Sequence, residues 1–502
     1  MSKKIHIFPL NRVEGDLKIH LEIENNVVSN AWSSGTMYRG FENIMTGRGS
    51  LDGLVITPRI CGVCSTAHLK SAAKALDMAF NAAVPDNGKR VRNISLMAEM
   101  LQNDVRHAFL LFMCDFANIF YKDHSLYNEA VRRYEPLKGE TSLHTIRETK
   151  KLLEIIAILG GQWPHSSFMV PGGVVSVPSP KDITQCRYLL KNFRKWYENR
   201  ILGCNLERWL EIKTKSDIRT WLEESELHQE SELGFFIRFS QETDMDKIGK
   251  GHGNFISFGS LSMPEYTNVT SISNETVFFP SGFAATTEVK PFQQEKVAEE
   301  VAHSWFNGYK GGMHPFEGIT TPYATGMEGE KYSWTKAPRY EGLPAETGPL
   351  AEMVIARDPL FTELVQTEGP NVFTRELARL VRPVFIMPVM DSWLKEMTSN
   401  KDDFFQDYSP SDSGEGFGLT NAPRGALGHW IKIKDTKIEN YQIITPTSWN
   451  ASPRDSGNVR GPIEQSLIGT EIRDIENPVE AGLIVRSFDP CLVCTVHAIS
   501  EK

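Results

Sequence analysis

The sequence predicts a mainly α fold with small β hairpins (α+β), built as one body over residues 1–502. Three observations carry that reading. Apolar residues recur at steps of three and four along the middle of the chain, the period of helices with a buried face. Period-two alternation is confined to short runs near the two ends. No shift of composition and no linker-like tract divides the chain.

The elements follow in order. Leu17-Lys18-Ile19-His20-Leu21-Glu22-Ile23 alternates apolar and polar, Asn25-Asn26 supplies a turn, and Val27-Val28 resumes the run, so a hairpin is expected. Past Pro58 the pattern becomes helical. Ile94, Met97, Leu101, Val105 and Ala108 form one apolar stripe. Leu152 to Leu159 continues the helical pattern and stops at Gly160-Gly161. Ser179-Pro180-Lys181-Asp182 reads as a helix start, with Ser as cap, Pro in the first turn and an acid at the positive dipole end. Thr374 to Met397 reads as helix broken near Pro383 and Pro388. Residues 399–420, polar and rich in Gly and Ser, read as a surface loop. Ile431–Lys434 and Tyr441–Ile444 predict a second hairpin.

Composition narrows the function. The 502 residues carry 54 Lys and Arg against 63 Asp and Glu, a net charge of −9, which excludes the basic face of a nucleic-acid binder. No apolar run reaches the roughly 18 residues of a membrane span. The N-terminus is too short and polar for a signal peptide. Seven cysteines exclude a disulfide scaffold and fit a reducing compartment.

Four of those cysteines form two CxxC pairs, Cys61-Gly62-Val63-Cys64 and Cys491-Leu492-Val493-Cys494, near opposite ends of the chain. A CxxC loop turns two thiolates toward one ion, and a helix N-terminus behind the first pair lowers thiol pKa. Two pairs supply four sulfurs. A structural zinc or an iron–sulfur cluster satisfies that count equally well, and spacing alone leaves the choice open. Cys114, Cys186 and Cys204 stand isolated in apolar or helical contexts and read as inert buried thiols.

The flanking strings narrow the choice. Arg12-Val13-Glu14-Gly15, Arg59-Ile60-Cys61-Gly62-Val63-Cys64-Ser65-Thr66-Ala67-His68 and Asp489-Pro490-Cys491-Leu492-Val493-Cys494-Thr495-Val496-His497 resemble the large subunit of nickel–iron hydrogenases. So do Arg39-Gly40-Phe41-Glu42, the Gly160–His165 string, His314-Pro315-Phe316-Glu317-Gly318, Ala422-Pro423-Arg424-Gly425 and Pro453-Arg454-Asp455. The resemblance implies one large-subunit fold in which the two cysteine motifs converge, and it covers nearly the whole chain.

It also implies roles. Cys61 and Cys491 would be terminal nickel ligands, while Cys64 and Cys494 would bridge to an iron carrying CO and cyanide supplied by maturation proteins. Glu14 would accept the proton released when H2 is split. Arg454 would stand over the open side of the metals. Asp489 would pair with Arg454 or orient the cysteine loop, and His68 would hydrogen-bond near a bridging sulfur. Glu42 and His497 would hold a second cation, magnesium in most members. No cysteines remain for an electron relay, so electrons would leave through an iron–sulfur small subunit, in a heterodimer or an oligomer of heterodimers.

The implied activity is reversible cleavage of H2, chiefly uptake. The alternative is a hydrogen sensor coupled to a kinase. The five residues after His497 favour the sensor, and Val63 beside Cys64 favours the enzyme. A cytoplasmic or cytoplasmic-face location is expected, with periplasmic co-export on a partner compatible. Asp16 departs from the histidine that many members carry there, and the register of Asn103 and Asp104 toward the site is open.

Overall fold

The computed structural model describes residues 4–272, 275–309, 311–326, 329–399 and 404–495. Among them a helical body carries five small antiparallel sheets. No described helix is long and apolar enough to cross a membrane.

The N-terminal hairpin forms as expected. Leu17–Glu24 pairs with Val27–Gly35 around the two asparagines, both at positive φ, and Lys4–Pro9 adds an outer strand. Its inward residues Leu17, Ile19, Leu21 and Ile23 are buried, as the alternation requires. The stripe from Ile94 to Val105 lies on the Asp86–Arg106 helix, which is buried on nearly every side. The helix Glu140–Gly160 ends at Gly161. The helix Pro180–Trp196 opens with a reciprocal Ser179–Asp182 cap.

Three expectations are corrected. Pro383 and Pro388 lie inside one continuous helix, Val372–Ser399. Its buried residues pack on the helices around it, and that tertiary packing outweighs the lost amide donors. The expected loop contains a strand, Gly414–Ala422, paired along its length with Gly425–Lys434. Its glycines serve contact rather than flexibility. A Cβ at Gly418 would stand 1.8 Å from the Ser71 carbonyl and one at Gly416 would stand 2.0 Å from that of Ala75. Only glycine lets this strand lie directly on the Ser65–Ala79 helix. Strands also occur mid-chain, where Asn254–Ser262 pairs with Val277–Ala285. Gly259 and Pro280 had hidden their strand pattern.

This packing positions the chain ends. The Ser65–Ala79 helix lies between the sheet ending at Lys437–Ile444 and the Asp86–Arg106 helix, so the first cysteine loop faces the interior. The last described segment then enters beside it. Glu14 and Cys491 form a parallel bridge, and the Leu492 amide donates to the Glu14 carbonyl at 2.6 Å.

Candidate metal centre

Cys61 follows a short 3-10 turn, Thr57–Arg59, and Cys64 occupies the cap position of the Ser65–Ala79 helix. Cys491 lies between the helix Val479–Ser487 and the turn Leu492–Thr495. All three thiols are buried, and their sulfurs lie within 4.8 Å of one another. The Cys61 and Cys491 sulfurs are 3.6 Å apart. Two sulfurs held tetrahedrally about 2.3 Å from one ion stand ~3.8 Å apart, so this pair fits a shared soft metal. The Val63 amide donates to the Cys61 sulfur at 3.3 Å, which favours the thiolate. His497 and the side chain of Cys494 lie outside the described residues.

Several groups hold the two loops together. One nitrogen of Arg39 donates to the carbonyls of both Ile60 and Val493. Gly15, at φ +83°, lets the Glu14 strip lie against the C-terminal loop, where a Cβ would meet the Val493 nitrogen at 2.8 Å. Glu99 is fully buried and accepts from the Thr66 and Ala67 amides at 2.8 and 3.0 Å, satisfying the helix start behind Cys64. Burial pushes its carboxyl up to about 7 against the pull of those amides.

The sequence-based arginine assignment is corrected here. The contacts of Arg454 are with other residues than the cysteines. Its guanidinium stacks over Trp32 at 5.0 Å and donates to Asn30 and Asn458. Arg339 binds the Asp455 carboxylate at 2.8 Å and the Pro453 carbonyl at 3.2 Å and fixes this buried segment. The arginine beside the three thiols is Arg424. It is 4% exposed, its Nε stands 3.0 Å from Asp489, and Nη1 has no hydrogen-bond partner among the described residues. Burial disfavours its charge, but Asp489 and the cysteines Cys491, Cys64 and Cys61 raise its pKa above the ordinary value.

Asp489 therefore pairs with Arg424, not Arg454, and it accepts from Asn103 at 2.8 Å. Burial works to raise its carboxyl, but Arg424, His107 and Arg379 hold it well below the usual carboxylate range. The open register is thereby resolved, since Asn103 faces the site while Asp104 binds Arg382 at 2.6 Å on another side of the helix.

Glu14 lies partly buried at the edge of the cluster. Burial raises its carboxyl, Arg424 opposes this, and the charges of Cys61 and Asp489 add to the rise. His68 is buried, and its Nδ1 shares a hydrogen bond with His429 Nε2 at 3.0 Å. The far nitrogen of His429 meets the Tyr441 hydroxyl at 2.8 Å. Burial lowers the His68 pKa to about 4, which keeps the ring neutral. Sequence reasoning assigned no role to His429, Tyr441 or Arg424; Arg424 was visible only within its quoted string.

Glu42 is buried with Lys336 at 3.0 Å, the Thr320 hydroxyl and the Ile443 amide at 3.0 Å around its carboxylate. Glu299 lies 3.5 Å from the same ammonium. Two buried carboxylates thus share one lysine, and burial pushes the Glu299 carboxyl up to about 7.

Sulfurs from near both ends of the chain, buried together beside a buried guanidinium, make up the donor set of a thiolate metal site. The comparisons specify which. A family model described as nickel-dependent hydrogenase matches residues 39–133 and 137–497. The periplasmic [NiFeSe] hydrogenase large subunit of Desulfomicrobium baculatum is 33% identical over 99% of this chain and 96% of its own. The hydrogenase-2 large chain of Escherichia coli K12 is 29% identical over 99% and 98%. The solved [NiFeSe] hydrogenase of Dm. baculatum superposes with a TM-score of 0.84 at 32% identity, covering 99% of this chain and all of that one. The chain belongs to the nickel-dependent hydrogenase family and is a large, catalytic subunit of that family.

Proposed function

We propose that this chain oxidises H2 at a nickel–iron centre held by Cys61, Cys64, Cys491 and Cys494, with Cys61 and Cys491 binding nickel alone. The observation that carries this reading is the convergence of three buried thiols from both chain ends beside a buried arginine. When bound, the group supplies redox-active ions at which H2 is polarised and gives up two electrons; CO and cyanide on the iron follow from the family resemblance. Arg424, whose Nη1 has no partner among the described residues, would be free to donate to an anionic group held beside the thiols. Asp489, fixed by Asn103, keeps that guanidinium charged and aimed. Glu14 receives the proton from the cysteine sulfurs. Its raised carboxyl is better matched to exchange near neutral pH than an exposed glutamate. His68, kept neutral in its chain to His429 and Tyr441, orients the helix behind Cys64.

Glu42, together with His497, is proposed to hold magnesium, a reading supported by the two buried carboxylates gathered around Lys336. The direction of turnover is uptake, in keeping with uptake hydrogenase large subunits among the relatives. Electrons leave through an iron–sulfur small subunit. The periplasmic designation of the Dm. baculatum relative fits a location set by co-export with that partner.

Metal analysis and infrared spectroscopy of the matured complex test the centre. Nickel and iron in near-equal amounts at this subunit, with bands of metal-bound CO and cyanide, are expected; zinc alone in an active preparation overturns the reading. Arg424→Lys keeps the charge but loses the planar fork. We expect retained nickel and turnover lowered on the order of 10²-fold, as for loss of one well-placed donor. Unchanged H2-dependent dye reduction would remove Arg424 from the site.

A further inference from the structure

We propose that Asp115 is a positioning residue that fixes the strip carrying Glu14 to the segment carrying Cys491. The inference rests on the reading of Glu14 as proton acceptor. Glu14 lies on an irregular strip, Asn11–Gly15, whose backbone pairs with the C-terminal loop, among the described residues, through the bridge to Cys491 and the Leu492 amide. Backbone bonds from the Leu10 amide to the Leu17 carbonyl and from the Thr36 amide to the Asp16 carbonyl hold its two ends, and its middle needs a side-chain anchor. A second anchor lies two residues back, at Arg12. Asp115 is buried, 4% exposed, in the short turn Met113–Ala117. One of its oxygens accepts from Arg12, and the other accepts from Arg486 Nη1 at 2.5 Å.

Arg486 closes the arrangement. Its Nη2 donates to the Asn11 side chain at 2.6 Å and its Nε donates to the Asn11 carbonyl at 3.2 Å. Arg486 also ends the Val479–Ser487 helix, which runs directly into Asp489 and Cys491. A single carboxylate therefore ties the segment carrying Glu14 to the segment carrying Cys491. Both guanidiniums are largely removed from water, so without Asp115 they would face each other as like charges. The strip and the helix end would then part, and Glu14 would shift relative to the sulfurs. Proton transfer is sensitive to such shifts, because a displacement of about 1 Å lowers rates on the order of 10²-fold.

The test uses the matured complex with Asp115→Asn, Asp115→Glu, Glu14→Gln and the double variant Asp115→Asn/Glu14→Gln. Expected for Asp115→Asn are wild-type nickel and iron content, H2 oxidation reduced on the order of 10²-fold and a larger solvent deuterium isotope effect on turnover. Asp115→Glu should recover part of the rate, and the double variant should be no slower than Glu14→Gln alone. Wild-type turnover in Asp115→Asn, or losses that multiply in the double variant, overturns the proposal. If Asp115→Asn yields no metal-loaded protein, Arg12→Gln opens the same bridge from its more exposed end, with the same expectations. Loss of metal in both variants makes the bridge merely structural and also overturns it. Wild-type turnover in Glu14→Gln sinks the Glu14 reading and this proposal with it, whereas wild-type turnover confined to Asp115→Asn sinks the clamp alone.

Discussion

Cys491→Ser should give a folded chain that retains no nickel and oxidises no H2. The substitution is nearly isosteric at a fully buried position, so the surrounding packing is preserved. The amide of residue 491 keeps its bond to the Thr447 hydroxyl at 2.9 Å, because that contact is made by the backbone. The donor itself is what changes. A serine oxygen is hard, stays protonated at neutral pH and matches a soft redox metal poorly. Even changes one shell out from a metal lower affinity by about 10–100-fold, so loss of a ligand should take nickel below about a hundredth of the wild-type content. Elemental analysis after gel filtration, set beside circular dichroism of the same sample, separates metal loss from unfolding. Stoichiometric nickel with turnover in this variant would remove Cys491 from the ligand set. Cys61→Ser should behave alike, since its sulfur stands 3.6 Å from that of Cys491.

The cysteine motifs were the most legible part of the chain because their chemistry is local. Four thiols in two CxxC loops announce a metal whatever surrounds them. The N-terminal hairpin was legible for a similar reason, since alternation from Leu17 to Ile23 and the two asparagines encode it without outside help. The start of the Pro180–Trp196 helix was written in four adjacent residues. Elements whose reasons lie elsewhere in the chain were misread. Gly416 and Gly418 look like loop until the helix pressed against them is seen. Pro383 and Pro388 look like breaks until the packing around their helix is known.

The arginine shows the same limit inside the site. Arg424 and Arg454 each follow a proline in a motif of the same kind, and sequence cannot say which side of its segment faces the sulfurs. Arg339, far away in the chain, fixes the Arg454 segment by holding Asp455. Asn103 and Asp104 were undecidable for a related reason. Adjacent helical residues point about 100° apart, so their roles depend on whether Asp489 or Arg382 lies opposite.

Glu14→Gln should retain the metals and lose H2 oxidation by 10²–10⁴-fold, the range typical of a general base. The amide keeps the size of the side chain and much of its hydrogen bonding, so the bridge between Glu14 and Cys491 and the bond from the Leu492 amide remain, both being backbone contacts. What is lost is the capacity to take a proton and release it. The direction of the Glu14 shift makes that capacity count. Burial, Cys61 and Asp489 raise the carboxyl above its ordinary value while Arg424 restrains the rise, which makes the carboxylate a stronger base than an exposed glutamate. For the same reason the wild-type rate should fall as pH drops through the raised pKa, where the carboxylate is lost as a base. Glu14→Gln should lack that acid limb. Nickel content, the infrared bands and pH profiles of H2-dependent dye reduction decide the matter together. A variant with intact metals and a wild-type pH profile would take Glu14 out of the proton path, while a variant lacking nickel would assign it to assembly instead.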